Sequence, residues 1–397
     1  RKAPDDVAFY APCPRGLSGA LAAELEALGA ANLELGEAGV AFEGPFELAY
    51  AANLESRLAT RILWRVARFE YRNEKDIYEG ARQVRWHGFF DLARTFKVET
   101  NAVKAPVKSL DFITLKVKDA IADAFREALG KRPDVAVRAP DARVHVFLDA
   151  RWCTLYVDTS GEPLFKRGRR EQVGEAPLKK NLAAGLLRLA GWTPGEALLD
   201  PMCGAGPILV EAAEMALGLA PGRDRPFGFE RLHRFDAAAW AKVKEASAAR
   251  AQPVTPRPIF GSDLYGRTVD AARANLRDMG LEGAVQLKQA NLLELSAPAA
   301  SGFIVTNPPY GVRLGEKDDL AAFYPELGHL LKQKFAGWTA HILSGDPELP
   351  KRIRLSATKR TVLYNGAIEC RLYEYRMVAG TNRKGADDGT PVPRDDG

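Results

Sequence analysis

The sequence Asn-Pro-Pro-Tyr at positions 307–310 has the residue types needed to bind a planar amine. The amide oxygen of Asn307 and the carbonyl of Pro308 can each accept a hydrogen bond from one N–H of an NH2 group. Tyr310 can stack on the flat ring that carries the amine. Two acceptors would pull a conjugated amine towards a tetrahedral shape and direct its lone pair at an electrophile. A proline-stiffened turn around a buried tyrosine is the alternative interpretation.

The amine motif follows a short apolar run, Gly-Phe-Ile-Val at positions 302–305, which predicts a buried parallel strand. Pro308 and Pro309 cannot continue this strand, because proline lacks the N–H donor and fixes φ. We therefore expect the motif at the carboxyl end of a strand, where open α/β sheets bind their ligands.

A second motif lies upstream, where a short apolar strand enters a glycine-containing loop, Asp-Pro-Met-Cys-Gly-Ala-Gly at positions 200–206. A helix is expected to begin at Pro207, because proline suits the first turn. Glycines let the backbone approach a ligand closely, and a helix N-terminus favours an anion, here a carboxylate. The order of strand, acidic residue, Gly-x-Gly, helix and Asn-Pro-Pro-Tyr is more specific than either motif alone.

Together these motifs resemble the class I S-adenosylmethionine-dependent amino-methyltransferases over positions 177–378. The resemblance implies a Rossmann-like α/β fold and S-adenosyl-L-methionine as cofactor. It also implies that Asp263, after a second predicted strand, binds the ribose hydroxyls. Asn291 stands where many relatives place an Asp, and its amide oxygen can still accept a hydrogen bond from the adenine amine. The predicted catalytic residues are Asn307, Pro308, Pro309 and Tyr310, and the predicted cofactor-binding residues are Asp200, Pro201, Cys203, Gly204, Gly206, Asp263 and Asn291.

Three details of this assignment have other interpretations or depart from the family. Cys203 can simply be a small residue where space is tight, and Asp263 can be a polar residue in a surface turn. Pro207 stands where relatives usually carry Thr, which changes one expected cofactor contact.

Composition and charge fit a soluble globular protein of two or three domains. The chain has 397 residues, of which 46% are hydrophobic and 27% are charged, and its net charge is +5. This mild excess of positive charge permits a nucleic-acid partner. The four scattered cysteines favour a reducing, cytoplasmic location and predict neither a zinc site nor disulfides. No apolar run is long enough for a membrane span, and we expect a monomer without a metal.

The N-terminal half is expected to hold two small modules. Residues 1–55 predict a ferredoxin-like α+β unit. Residues 56–165 resemble a THUMP domain, an RNA-binding module, and the likeness rests on the predicted helix Leu-Lys-Val-Lys-Asp-Ala-Ile at 115–121 and the predicted strand pair at 143–158. Four arginines from Arg57 to Arg68 recur in this part at near-helical spacing. A basic linker (166–176), the methyltransferase domain (177–379, with an insertion at 221–258) and a disordered tail (380–397) follow. The predicted RNA-binding residues are Lys116, Lys118, Lys166, Arg167, Arg169 and Arg170.

The order of these parts resembles the RlmL family of 23S ribosomal RNA guanine-N2 methyltransferases. The resemblance implies methyl transfer to the exocyclic N2 amine of a guanosine in large-subunit ribosomal RNA. Guanine-N2 of tRNA, adenine-N6 of DNA and a catalytically silent RNA-binding or ribosome assembly factor are the alternatives. Cytosine-C5 methylation would need a cysteine nucleophile near Asn307, and the sequence has none there. Some family members carry a second, C-terminal methyltransferase domain, and a chain of this length is expected to hold one such domain.

Overall fold

The structure, a computed structural model, describes residues 6–167, 178–308 and 317–378. The strands of these residues form two seven-stranded sheets, one in each half of the chain. The mixed α/β architecture predicted from the sequence is confirmed. The tail at 380–397 and most of the linker at 166–176 lie outside the described residues.

The first sheet has the strand order β2-β3-β1-β4-β7-β6-β5. Its inner strand β6 is buried at six of seven positions, whereas the edge strand β2 is mostly exposed and carries polar residues. Its strands are β1 (Val7–Pro12), β2 (Ala31–Gly36), β3 (Gly39–Gly44), β4 (Leu63–Glu70), β5 (Phe96–Ala102), β6 (Ala142–Leu148) and β7 (Trp152–Asp158). The helices of this half are α1 (Ser18–Ala27), α2 (Leu48–Glu55), α3 (Glu74–Arg82) and α4 (Leu110–Leu129).

The two predicted N-terminal modules share this one sheet. Strand β4 pairs antiparallel with β1, at Phe9↔Trp64, and with β7, at Leu63↔Asp158. The near-helical spacing of the four arginines does not mark a helix, because Arg65 and Arg68 lie on β4 and the other two precede it. The spacing arises from a loop that runs into a strand.

The second sheet has the order β10-β9-β8-β11-β12-β14-β13, with five parallel strands followed by an antiparallel hairpin. The helices alternate with the parallel strands, as a doubly wound sheet requires. Its strands are β8 (Leu198–Asp200), β9 (Ile259–Asp263), β10 (Gln286–Gln289), β11 (Gly302–Thr306), β12 (Trp338–Ser344), β13 (Lys359–Asn365) and β14 (Ile368–Arg376). The helices of this half are α5 (Lys180–Ala190), α6 (Pro207–Ala216), α7 (Ala237–Ala248), α8 (Gly266–Asp278), α9 (Lys317–Lys334) and α10 (Leu349–Ile353).

The predicted insertion at 221–258 packs against the N-terminal half. Tyr50 of α2 lies with its ring centroid 4.6 Å from that of Phe229 and 6.0 Å from that of Trp240. The backbone N–H of Asp236 donates to the Tyr50 hydroxyl over 2.8 Å. The insertion therefore supplies an aromatic interface between the two halves.

A buried cluster of charges joins the two halves at helix α6. Glu211 and Glu214 of α6 are fully buried. Arg57, from the loop before β4, lies 3.2 Å from a Glu211 oxygen and 3.1 Å from a Glu214 oxygen. Arg167 lies 2.5 Å from Glu211, and Arg223 lies 2.5 Å from Glu214. Each carboxylate therefore has two arginine partners, which offsets the cost of burying its charge.

Candidate active site

Asp200 and Asn307 lie on neighbouring parallel strands at the same edge of the second sheet. Strands β8 and β11 pair at Leu199↔Ile304, so Asp200 ends its strand level with the last residues of β11. The hydroxyl of Thr306 donates to an oxygen of Asp200 over 2.8 Å. No role was predicted for Thr306 from the sequence. Its position, a hydroxyl residue at a strand end directly before the amine motif, could have indicated that it belongs to the site.

The loop after β8 is held against the end of β9. The Cys203 N–H donates to the Ser262 carbonyl over 2.9 Å, and the Gly204 N–H donates to Asp263 over 3.1 Å. Burial raises the pKa of the Cys203 thiol, and Asp200 and Asp263 raise it further. The thiol therefore stays neutral, in agreement with the interpretation of Cys203 as a small residue in a tight space.

Gly206 begins helix α6 in a conformation that only glycine adopts easily, with φ of +82°. A Cβ atom here would lie 3.2 Å from the Ala272 Cβ of helix α8. Pro207 occupies the first turn of α6, as the sequence predicted. The N-terminus of helix α6 thus lies directly after the loop that leaves Asp200, and its dipole favours an anion there.

We expect Gly206→Ala to destabilise the fold by about 1–2 kcal/mol, because alanine is strained at positive φ. It should also weaken the binding of S-adenosylhomocysteine in calorimetry, because the loop must shift away from helix α8. Gly191→Ala is the matched control, since Gly191 also has positive φ (+74°) but has no atom within 4 Å of an added Cβ. Equal cofactor affinity in the two variants would contradict the assignment of this loop.

Burial, and to a smaller extent the nearby charge of Asp263, raise the pKa of the Asp200 carboxyl to about 7. The hydrogen bonds from Thr306 and from the Met202 N–H act in the opposite direction, because they stabilise the ionised form. No cation among the described residues pairs with Asp200. The folded chain therefore holds this proton more tightly than the unfolded chain does.

This difference gives a pH dependence of stability with a definite sign. The contribution of Asp200 to the free energy of unfolding should fall by about 1.4 kcal/mol for each pH unit as the pH rises from about 4 to 7. In Asp200→Asn this contribution is absent, so the variant should be more stable than the native chain above pH 7. Urea denaturation of both proteins at a series of pH values measures this difference in stability. An unchanged pH profile in the variant would contradict the assigned protonation.

Two further predicted cofactor residues lie at the same sheet edge. Asp263 ends β9 and is partly buried, with one oxygen on the Gly204 N–H and the other on the Tyr265 N–H. Asn291 follows β10, and its amide oxygen accepts from the Leu293 N–H over 3.1 Å. That oxygen keeps a second lone pair for another donor. Leu264 and Tyr265, next to Asp263, are each 53% exposed and offer an apolar surface that was not predicted from the sequence.

Of the four residues of the amine motif, the structure describes the first two, Asn307 and Pro308. Asn307 follows β11 directly and is half-buried, and Pro308 is buried. The side-chain oxygen of Asn307 is buried and has no hydrogen-bond partner among the described residues. An acceptor in this state is costly unless a ligand donates to it. Pro309 and Tyr310 lie outside the described residues.

The predicted RNA-binding residues that the structure describes lie on helix α4 and at positions 166 and 167. The prediction for one residue, Arg167, is corrected by its burial. Lys116 and Lys118 lie on α4, a helix capped by the Ser109 side chain and ended by Gly130. Lys166 is exposed. Arg167 is 4% exposed and paired with Glu211, so its predicted contact with an RNA phosphate is wrong for this conformation. Arg169 and Arg170 lie outside the described residues.

Within the described ranges, no helix is long and apolar enough to cross a membrane. The same ranges contain no cluster of three or more His, Cys, Asp or Glu residues that could hold a metal ion. The four cysteines are buried, and no disulfide joins them.

Comparison with known families finds three matches along the chain. Residues 167–374 match the family described as RMKL-like, methyltransferase domain. Residues 71–158 match the THUMP domain, and residues 8–63 match the RlmL ferredoxin-like domain. The match at 167–374 covers the Gly-x-Gly loop, Asp263 and Asn307.

Individual proteins give the same result over nearly the whole chain. The ribosomal RNA large subunit methyltransferase K/L of Photobacterium profundum is 39% identical over 382 residues, 95% of this chain and 54% of that protein. The chain thus spans about half the length of the curated relatives it matches. The solved structure of SMU.472, assigned as a methyltransferase and complexed with SAH, covers 96% of this chain and 100% of its own, with a TM-score of 0.87 and 29% identity.

A second solved structure that is similar to this chain, from Listeria monocytogenes str. 4b F2365, is assigned as an N6-adenine-specific DNA methylase. Its structure covers 94% of this chain and 96% of its own, with a TM-score of 0.85 and 28% identity. These matches confirm the predicted class I methyltransferase fold behind a ferredoxin-like unit and a THUMP domain. The chain belongs to the family of RMKL-like methyltransferase domains.

Proposed function

We propose that the chain transfers a methyl group from S-adenosyl-L-methionine to the exocyclic N2 amine of a guanosine in 23S ribosomal RNA. The side-chain oxygen of Asn307, which is buried and has no hydrogen-bond partner among the described residues, carries this proposal. It lies at the sheet edge that also holds Asp200 and the glycine loop. An amine donor from the target base would satisfy this oxygen.

The residues around the glycine loop fit the cofactor's three chemical parts. The N-terminus of α6 suits its carboxylate. Asp263 has lone pairs left for ribose hydroxyls, and the exposed Leu264 and Tyr265 side chains offer a surface for the adenine ring. When bound, the cofactor supplies an electrophilic methyl group on a sulfonium. Pro201 and Cys203 are both buried, so their role in this site is to shape the loop.

The chain's own contribution to the reaction is to hold and orient the amine. The Asn307 amide oxygen and the Pro308 carbonyl each accept a hydrogen bond from one N–H of the amine. These two bonds concentrate the lone pair of the amine on the side that faces the methyl group. Tyr310 stacks on the base. The amine becomes more acidic once it is methylated, so its proton can leave to water without a dedicated base. A target base in a duplex must first be flipped out.

Large-subunit ribosomal RNA is the proposed substrate because the curated relatives are named for it and because the chain contains a THUMP domain. The exposed Lys166 and the lysines of α4 would contact its backbone. We also propose that the chain acts in the cytoplasm as a monomer, with domain boundaries near residues 55, 165 and 177.

The test is methyl transfer from labelled S-adenosyl-L-methionine to unmodified 23S ribosomal RNA, followed by nucleoside analysis. Unmodified tRNA and duplex DNA are run in parallel, the latter because one structural match is assigned as an N6-adenine DNA methylase. N2-methylguanosine formed with ribosomal RNA alone is the expected result. N6-methyladenine in DNA, or label in tRNA alone, would overturn the substrate. Cofactor binding without product on any acceptor would favour an assembly factor.

A further inference from the structure

A cavity of 240 Å³ lies where five parts of the chain meet, away from the glycine loop. The loop after β1, the loop before β4, the segment at Phe165, the start of α5 and the turn between β13 and β14 surround it. The lining residues used below are Arg15, Thr60, Phe165, Lys179, Asn181 and Tyr364. Its size is below the roughly 300–1,000 Å³ of sites for drug-sized ligands and suits a single nucleobase.

Asn181 gives the cavity a buried side-chain oxygen that has no hydrogen-bond partner within the described part of the chain. Its side chain is 1% exposed, and its amide nitrogen donates to the Thr60 hydroxyl over a long 3.4 Å. Its amide oxygen has no hydrogen-bond partner among the residues that the structure describes. A ligand with an N–H donor would remove the cost of this unpaired acceptor.

Two cations of the cavity are held against aromatic rings. The Arg15 guanidinium lies 5.2 Å from the centroid of the Tyr364 ring, and the Lys179 ammonium lies 5.0 Å from that of Phe165. Contact with a ring fixes a long side chain in place before any ligand arrives. Arg15 also pairs with Glu37, but both side chains are largely exposed, so this pair is weak. No Asp or Glu is among the described residues that line the cavity.

The strand register places the cavity on the same sheet edge as Asn307. Thr306 pairs with Ile342, Ile342 with Tyr373, and Tyr373 with Arg360. Strand β13 continues from Arg360 to Asn365, beyond the level at which β11 ends. Strands about 4.8 Å apart and a rise of about 3.3 Å per residue put Tyr364 on the order of 20 Å from Thr306. One extended RNA strand can span this distance.

We propose that this cavity binds one nucleotide of single-stranded RNA that lies a few nucleotides along the strand from the target nucleotide. Arg15 and Lys179 contact its phosphate, and the amide oxygen of Asn181 accepts from its base. This proposal rests on the proposed function, because it assumes that the RNA strand at Asn307 continues along the sheet edge. It adds a contact outside the THUMP domain and outside the amine motif.

The test measures affinity of the full chain for a short single-stranded fragment of 23S ribosomal RNA by fluorescence anisotropy at several salt concentrations. Arg15→Ala/Lys179→Ala should weaken binding at least tenfold and reduce the slope of log K against log salt by about 0.7 for each phosphate interaction that the variant removes. Asn181→Ala should weaken binding without changing that slope. Lys242→Ala/Lys244→Ala is the matched control, since it removes two exposed charges from α7, one of them also over a ring, Trp240.

Equal affinities for the cavity variant and the control would overturn the proposal. Inorganic phosphate that displaces the RNA at low millimolar concentration would also overturn it, in favour of a simple anion site. Anisotropy needs no catalysis, so the result stands even if no acceptor is methylated and the proposed function fails. If product forms, the cavity variant should raise KM for RNA and leave kcat and cofactor affinity unchanged.

Discussion

Replacing Asn307 by alanine is expected to lower kcat for methyl transfer by roughly 10²–10³-fold, the loss typical of one transition-state hydrogen bond in an active site. The amine would lose the acceptor that directs its lone pair, whereas the glycine loop and Asp263 stay intact. Affinity for S-adenosylhomocysteine should therefore equal that of the native chain. Single-turnover kinetics with labelled cofactor and calorimetry measure the two quantities separately.

The same variant separates a role in the reaction from a role in the fold. The Asn307 side-chain oxygen is buried without a partner among the described residues, so its removal should leave stability unchanged or raise it by up to about 1–3 kcal/mol. Asn101→Ala, at an exposed position on β5, is the control and should change neither rate nor stability. A lower unfolding midpoint in Asn307→Ala, together with the loss of rate, would show that Asn307 is structural.

The second large effect is expected at Arg57, which joins the N-terminal half to helix α6. Arg57→Ala should destabilise the chain by about 3–5 kcal/mol, because Glu211 and Glu214 each lose one of two cationic partners while fully buried. Urea denaturation followed by circular dichroism measures the loss. The variant should also unfold at a lower temperature at neutral pH.

Arg151→Ala is the matched control for this prediction. Arg151 lies 2.6 Å from Glu70, but both side chains are more than half exposed. Exposed pairs contribute about 0–1 kcal/mol, so this variant should behave like the native chain. A similarly small loss in Arg57→Ala would mean that water reaches the cluster and that it does not hold the two halves together.

The methyltransferase half was largely predictable because its signals are local. Apolar runs of three to five residues that stop at Asp200, Asp263 and Asn307 are strands, and the glycines or prolines that follow end them. Since parallel strands expose their carboxyl ends at one edge, the order of the motifs already placed these residues together.

The burial of charges was not predictable in the same way, because it depends on partners far along the chain. Arg57 and Arg167 look like ordinary basic residues until Glu211 and Glu214 are placed beside them. One signal was present, since two glutamates within the otherwise apolar helix Pro207–Ala216 require cationic partners if that helix is buried. The sequence does not say which arginines these are.

The shared N-terminal sheet has a consequence for how the chain tolerates being cut. A fragment of residues 56–165 would lose β1 and leave one side of β4 without its neighbour. The bare N–H and C=O groups of Leu63 and Trp64 would then be free to pair with another molecule. A protease cut near residue 55, or expression of the THUMP segment alone, should therefore give aggregates, whereas residues 6–167 carry the whole sheet.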